Sequence, residues 1–315
     1  MKTLQEAIQF FTNPDNCLNY FVAHRWPNGV QCPNVKCGRK DVRFISTRRM
    51  WECKSNHPKK QFSVKIGTIF EDSAIPLDKW LIAMWMLANC KNGVSSYEIA
   101  RTIGVTQKSA WFMMHRIRLA MKNKSLFKLG GSGNEVEVDE TFVGGLAANM
   151  HRDRAKKYAE GGHFGKTVVM GLLDRQRREV RAKVVPNVKR TSLQTEILKQ
   201  VKYGSAVYTD SHTAYDQLKN YGGYIHDVVN HAERYVSGRV HTNGLENFWS
   251  LLKRNLSGTY VAVEPFHLER YVDEQAFRFN NRKGSDAHRL GLVMSNILNK
   301  RLTYSELTGK DGTTF

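Results

Sequence analysis

The chain has 315 residues, 41% of them apolar, which gives length for more than one domain and excludes a disordered chain. Lys and Arg number 48 against 29 acids, a net charge of +19 that points to a polyanionic partner, with nucleic acid first in line. The longest apolar run, Trp80 to Ala88, is too short to span a bilayer, and the opening Met-Lys-Thr-Leu-Gln-Glu has no apolar core of a signal peptide, so we expect no membrane partner and a cytoplasmic location.

The first module is expected over residues 14–66. It is the most basic part: residues 1–65 hold 12 Lys and Arg against 4 acids. The five cysteines, an odd number without a secretory signal, argue against a disulfide scaffold. Cys32 and Cys37 would form one tight turn, and Cys53 with His57 a second. Four N and S ligands on two turns suit one structural Zn²⁺. Strand-like pieces at Val42–Ile45 and Gln61–Val64 flank them. Cys17 is a substitute ligand but lies far from either turn, so packing suits it better, as it does Cys90. Arg43, Arg48, Arg49, Lys59 and Lys60 are placed for phosphate contact.

The second module, residues 75–128, reads as helical. Ser95 and Glu98 make a capping-box pattern, and Ile99, Ala100 and Ile103 form one apolar face. Gly104 allows a turn, and Thr106 caps a second helix reaching about Met121. This is the pattern of a helix-turn-helix, whose second helix enters the major groove by its N-terminal end. Gln107, Lys108 and Ser109 would face the groove, with His115, Arg116 and Arg118 toward the DNA backbone.

A Gly-rich run, Leu129–Asn134, precedes the third module, residues 134–285, where strand and helix signals alternate as in an α/β domain. Strands are expected at Glu135–Asp139, Lys166–Leu173, Glu179–Val185 and Ser205–Asp210, and helices at Thr191–Val201, at 213–220 and around Glu246. Asp174 reads as a turn residue. A basic segment, His151–Lys166, and a C-terminal extension, residues 286–315, have no assigned role. Asp139 and Asp210 each end a strand. In the helix beyond His241, Asn243, Glu246, Asn247, Ser250 and Lys253 share one face, opposite Leu245, Phe248, Trp249 and Leu252. Docked by its apolar face, that helix would present Glu246 to the two Asp. Three carboxylates can hold two Mg²⁺ or Mn²⁺ ions about 3.5–4 Å apart, one on the attacking and one on the leaving oxygen of a phosphodiester. Such ions also reverse the sign of an acidic cluster before DNA arrives.

The whole layout resembles the Asp-Asp-Glu transposases of bacterial insertion sequences, and within them the ISXO-type subgroup. The likeness runs over about residues 14–285. Its motifs are the Cys-bearing ribbon, Gln61 to Glu71, Leu77-Asp-Lys-Trp80, the helical hairpin, Val138-Asp139-Glu-Thr-Phe-Val-Gly-Gly145, Tyr208-Thr-Asp210-Ser, and His241-Thr-Asn243-Gly-Leu-Glu246-Asn-Phe-Trp249-Ser-Leu-Leu-Lys253-Arg254. The wide Cys32–Cys37 turn and the His57 ligand depart from the commonest all-Cys ribbon. The resemblance implies a ribonuclease-H-like α/β catalytic domain behind the zinc ribbon and the helix-turn-helix. It implies strand cleavage followed by 3′-hydroxyl strand transfer, with Mg²⁺ or Mn²⁺ held by Asp139, Asp210 and Glu246. Asn243 is the fallback for the third acid, and Asn243, Lys253 and Arg254 are set at the DNA. The partner would be double-stranded DNA, both element ends and target, met by a homodimer or larger assembly. The other class considered is a zinc-containing DNA-binding regulator derived from a transposase and lacking catalysis.

Overall fold

The structure, a computed structural model, describes residues 1–122, 125–144, 166–218, 223–229 and 240–310. The segment His151–Lys166, apart from Lys166 itself, lies outside the described residues, as does Gly145. The chain divides into two compact units: Met1–Lys122 with Lys283–Phe315, and Asn123–Arg282. Among the described residues no helix is long and apolar enough to cross a membrane.

The first unit opens with α1 (Leu4–Phe11) and α2 (Pro14–Arg25), capped by Thr3 and Asn13 side chains. A three-stranded antiparallel sheet follows, with β1 (Val42–Ile45), β2 (Met50–Cys53) and β3 (Gln61–Phe62) in that order. Its small core is aromatic: Trp51 stacks near Phe62, and Trp26 meets both edge-on. Next comes α3 (Leu77–Asn89), apolar nearly all round. Trp80, Leu81, Ala83, Met84, Trp85 and Leu87 are all buried, the mark of a helix at the centre of its unit. Cys90 is its C-cap and is half-buried rather than in the core. The capping box of Ser95 and Glu98 starts α4 (Ser96–Ile103), Gly104 ends it at φ 62°, and the Thr106 side chain caps α5 (Gln107–Met121).

The second unit is a five-stranded sheet: β4 (Glu135–Val143), β5 (Thr167–Asp174), β6 (Glu179–Val185), β7 (Ala206–Asp210) and β8 (Ile225–Val229), in the order β6-β5-β4-β7-β8. β4, β5 and β6 form an antiparallel meander. β7 and β8 run parallel to β4, reached through the crossover helix α6 (Arg190–Gln200). Alternation assigns the faces. Val136 and Val138 of β4 and Val207 of β7 lie in one core with Leu193 and Ile197 of α6. Val169 and Leu173 of β5 lie in the other, with Leu245, Phe248 and Leu252 of α7 (Asn243–Gly258) and Leu268 and Val272 of α8 (Pro265–Asn280).

Of the helix expected over 213–220, Thr213–Tyr215 form a 3-10 turn, and residues 219 and 220 lie outside the described residues. His212 caps that turn with Nδ1, which accepts from Ala214 N, and Gln217 sits at φ 70°, a left-handed conformation that a helix does not pass through. The edge strand β8 is a finding of the structure, since no strand was expected at 225–229. Asp174 is more than a turn residue. It is fully buried, and its carboxylate accepts from Gly130 N at 2.9 Å and Arg177 N at 2.9 Å, tying the Gly-rich run to the β5–β6 turn.

The chain then returns to the first unit. Helix α9 (Asp286–Ser295) packs on α3, α2 and α5, and α10 (Tyr304–Thr308) packs on α5. Arg289 Nε donates to Asn89 Oδ1 at 2.7 Å, Asn296 Nδ2 to Ala120 O at 2.8 Å, and Lys300 Nζ to Leu119 O at 2.7 Å.

Candidate metal centres and catalytic site

Cys32, Cys37, Cys53 and His57 offer ligand atoms that all lie within 4.8 Å of one another. A zinc tetrahedron with Zn–S of ~2.3 Å and Zn–N of ~2.0 Å has S–S edges of about 3.8 Å and S–N edges of about 3.5 Å. Here Cys37 Sγ lies 3.7 Å from Cys53 Sγ, and Cys32 Sγ lies 3.5 Å from His57 Nε2. The four residues therefore fit the ion. His57 Nδ1 donates to Pro58 O at 2.7 Å, which leaves Nε2 as the coordinating nitrogen. The first knuckle is closed by the N–H groups of Cys37 and Gly38, both donating to Asn34 O, which absorbs the wide spacing. The Ser55 N–H is the main cause that pulls the Cys53 thiol down to about 6, so one ligand is readily a thiolate. Burial pushes Cys32 up to about 11. Cys17 is buried with Sγ donating to Phe11 O at 3.0 Å, packed in the helical part of its unit.

In the second unit, β4 and β7 pair in parallel from Glu135–Ala206 to Glu137–Tyr208. Two residues further along each strand come Asp139 and Asp210, on the same face as Glu137 and Tyr208 by alternation, where the two strands part. Asp139 is thus placed by strand separation and not by a strand end, since β4 runs on to Val143. That face is the one covered by α7. Leu245, Phe248, Trp249 and Leu252 are buried against it, while Asn243, Glu246, Asn247, Ser250 and Lys253 are exposed, as the stripe in the sequence anticipates.

Burial is the first cause that pushes the Asp139 carboxyl up to about 6. The charges of Asp210 and Glu246 add to the rise, and the Trp249 indole and Glu140 N–H oppose it. Asp139 thus feels the charges of both Asp210 and Glu246. The oxygens of these three acids are more loosely gathered than the Cys/His set, which is the only group within 4.8 Å among the described residues. Glu140 is pushed up to about 9, first by burial and then by Asp210 and Asp139, and its Oε1 is buried with no hydrogen-bond partner. Glu140 follows Asp139 on β4 and so faces the other side of the sheet, whereas Asp139 and Asp210 offer hard carboxylate oxygens on the face that α7 covers, donors of the kind that Mg²⁺ or Mn²⁺ takes.

Several supporting residues went unread in the sequence. Glu137 is 1% exposed. Its Oε2 accepts from Leu245 N at 3.0 Å in the first turn of α7, and its Oε1 from Arg175 Nε at 2.7 Å. Arg175 also donates to Glu135 and to His241 O and Nδ1, and its guanidinium lies over Tyr208 at 4.7 Å. Trp249 Nε1 donates to Asp139 Oδ2 at 2.9 Å, and Glu140 N to Asp139 Oδ1 at 2.9 Å. His212 N donates to Asp210 Oδ1 at 3.2 Å, and Thr209 Oγ1 donates to Asp210 O at 2.8 Å. A signal was present: Glu135, Glu137 and Asp139 put three acids on one face of a single strand, an arrangement that solvation alone does not call for.

In the first unit, Lys108 is exposed at the N-terminal end of α5, and Gln107 and Ser109 are half-buried there. Gln107 Nε2 donates to Ser96 Oγ at 2.8 Å, bracing α5 on α4. Arg116 is corrected: it is 4% exposed, donates to Leu302 O at 3.0 Å and Glu71 O at 2.8 Å, and so ties its unit together rather than meeting phosphate. His115 and Arg118 are buried as well. In the ribbon, Arg43 pairs with Glu52 and Arg49 with Asp15, while Lys59 and Lys60 are exposed. Lys253 and Arg254 are exposed on α7.

Comparison with known proteins converges on one group. Residues 128–280 match the ISXO2-like transposase domain, and residues 13–57 match the transposase zinc-ribbon domain. A Halobacterium salinarum protein, described as an uncharacterized protein in transposable element ISH50, is 27% identical over 264 residues, 79% of this chain and 85% of its own. An uncharacterized transposase-like protein of Haemophilus influenzae is 37% identical over 98 residues, 31% of this chain and 78% of its own. A chain in the simian T-cell lymphotropic virus intasome overlaps 60% of this chain and 66% of its own at 13% identity, with a TM-score of 0.28, too slight a likeness to bear on the fold.

Proposed function

Because the chain belongs to the ISXO2-like transposase family, we propose that it is an active DNA transposase with a ribonuclease-H-like catalytic unit. What supports this reading is that Asp139 and Asp210 lie on one face of neighbouring strands, the face covered by the helix that bears Glu246. These three would hold Mg²⁺ or Mn²⁺, which would supply charge stabilisation at the attacking and leaving oxygens of an in-line displacement. The protein's own part is placement. β4 and β7 fix the two Asp, and α7 fixes Glu246. Lys253 and Arg254, on the exposed side of α7, meet backbone phosphates, and Asn243 stands beside the third acid. Water attacks the phosphorus at the element end and the P–O3′ bond breaks, freeing a 3′-hydroxyl. That hydroxyl then attacks a target phosphorus and displaces its O3′.

Recognition falls to the first unit. The zinc ribbon folds around its ion and carries exposed cations such as Lys59 and Lys60. α4 and α5 act as a helix-turn-helix, with Gln107, Lys108 and Ser109 entering the major groove. Two ends must meet for transposition, so a homodimer or larger assembly on DNA is expected.

The test is strand transfer by the purified, zinc-loaded protein with Mn²⁺ and labelled element ends. Asp139→Ala, Asp210→Ala and Glu246→Ala should each abolish joined product while end binding persists. Full activity in any one removes that residue from the site. A wild-type protein that binds ends but never cuts or joins them is a regulator, and the reading fails.

A further inference from the structure

Helix α7 is fastened to β4 at two places. Glu137 Oε2 takes the N–H of Leu245 at 3.0 Å, and Asp139 Oδ2 takes the indole N–H of Trp249 at 2.9 Å. The acceptors are two residues apart on the strand, about 6.7 Å, and the donors four apart on the helix, about 6 Å of rise. The near-equal steps let both bonds form with the helix lying along the strand, and Glu246 falls between the two donors.

The second fastening depends on a gap in β5. Gly171 is the Cα partner of Asp139, and a Cβ there would come within 2.6 Å and 2.8 Å of Trp249 Cζ2 and Cη2. Any other residue at 171 would push the indole off the sheet. Trp249 is 5% exposed, so its N–H has little access to water, and a buried indole N–H needs an acceptor. The acceptor it finds is the first of the three acids. With Glu140 N on Oδ1 and Trp249 Nε1 on Oδ2, both oxygens of Asp139 are anchored and its carboxylate plane is set.

We infer that Trp249 is a positioning residue for the catalytic centre: its indole N–H fixes the Asp139 carboxylate and sets the helix that bears Glu246 in one act. The first and third acids then form a rigid pair, to which Asp210 comes from its own strand. This inference rests on the transposase reading. Outer contacts of this kind, which orient a metal-binding side chain, typically change metal affinity 10–100-fold when removed.

Trp249→Phe keeps most of the ring packing and deletes the N–H. The full-length, zinc-loaded protein is titrated with Mn²⁺, free ion being read by electron paramagnetic resonance, for wild type, Trp249→Phe, Gly171→Ala and Asp139→Asn. Asp139→Asn should lose the Mn²⁺ that wild type binds. Trp249→Phe and Gly171→Ala should bind it about 10–100-fold more weakly. The Mn²⁺ needed for half-maximal strand transfer should rise by a like factor, with the rate restored at saturation. Wild-type affinity in Trp249→Phe overturns the inference and leaves the site reading standing. A rate that saturating Mn²⁺ does not restore also overturns it, since Trp249 then acts through packing alone. Equal Mn²⁺ binding by wild type and Asp139→Asn sinks the site reading and the inference together.

Discussion

Replacing Gly244 with alanine sets two effects of opposite sign against each other. Gly244 lies in the first turn of α7, and the exchange by itself favours a helix by up to ~1 kcal/mol. A Cβ at 244, however, would come within 2.2 Å of Leu173 Cδ2, 2.9 Å of Glu137 Oε2 and 3.2 Å of Glu137 Oε1. Leu173 is buried, so the clash costs about 1–3 kcal/mol in overpacking. Pushing α7 away also lengthens the Leu245 N to Glu137 bond, and a bond to a charged acceptor contributes about 1.5–3 kcal/mol. The unfavourable sum wins by roughly 1.5–5 kcal/mol, about a tenfold to several-thousandfold shift in local opening. A chain of two units has no single unfolding free energy, so the assay is amide hydrogen exchange read peptide by peptide. Peptides over β4 and the first turns of α7 should exchange faster by that factor, with α3 unchanged. Equal or slower exchange at α7 would mean that helix propensity dominates, and would refute the close-approach argument.

Stripping zinc with a chelator should unprotect β1–β3 while the β4–β8 sheet keeps its protection, as exchange and circular dichroism would report. In metal-free protein, Asp139 is raised from 3.8 to about 6 and Glu140 from 4.5 to about 9, so the fold favours their protonated forms. That stabilisation is full below about pH 4 and is lost as pH climbs through about 6 and then about 9. In zinc-loaded protein free of Mg²⁺ and Mn²⁺, hydrogen-exchange protection of the second unit should therefore fall from pH 5 to pH 9, after correction for intrinsic exchange, and less steeply in Asp139→Asn and Glu140→Gln. Arg116→Lys should lower the stability of the first unit by about 1–3 kcal/mol, read as its exchange protection, through loss of its two carbonyl bonds, with no change in the salt slope of DNA binding. Lys108→Ala should reduce that slope by about one. Burial, with Asp78 nearby, pushes the Cys17 thiol up to about 12, so iodoacetamide should spare it at pH 8 until the first unit unfolds.

What the sequence reveals follows from how local its causes are. The bounds of α4 and α5 are written in Ser95, Glu98, Gly104 and Thr106, since caps act over three or four residues. The exposed stripe of α7 and the Cys/His ligand set are legible for the same reason: helical period and turn spacing are local. What escapes depends on partners far away in the chain. Glu137 reads as one more strand acid until α7, 108 positions later, supplies Leu245 N. Trp249 reads as core until Gly171 makes room for it beside Asp139. Arg116 looks like a phosphate cation until Leu302 O, 186 positions on, claims it. The helix expected over 213–220 is interrupted at Gln217, whose left-handed φ no periodicity reveals.

The return of the chain to its first unit has a consequence during synthesis. Helix α9, which packs on α3, leaves the ribosome only after all of residues 123–282. At ~5–20 residues per second, those roughly 160 residues occupy about 8–32 s, during which α3 waits without that cover. A message broken anywhere within the second unit therefore yields a product whose first unit is also unfinished.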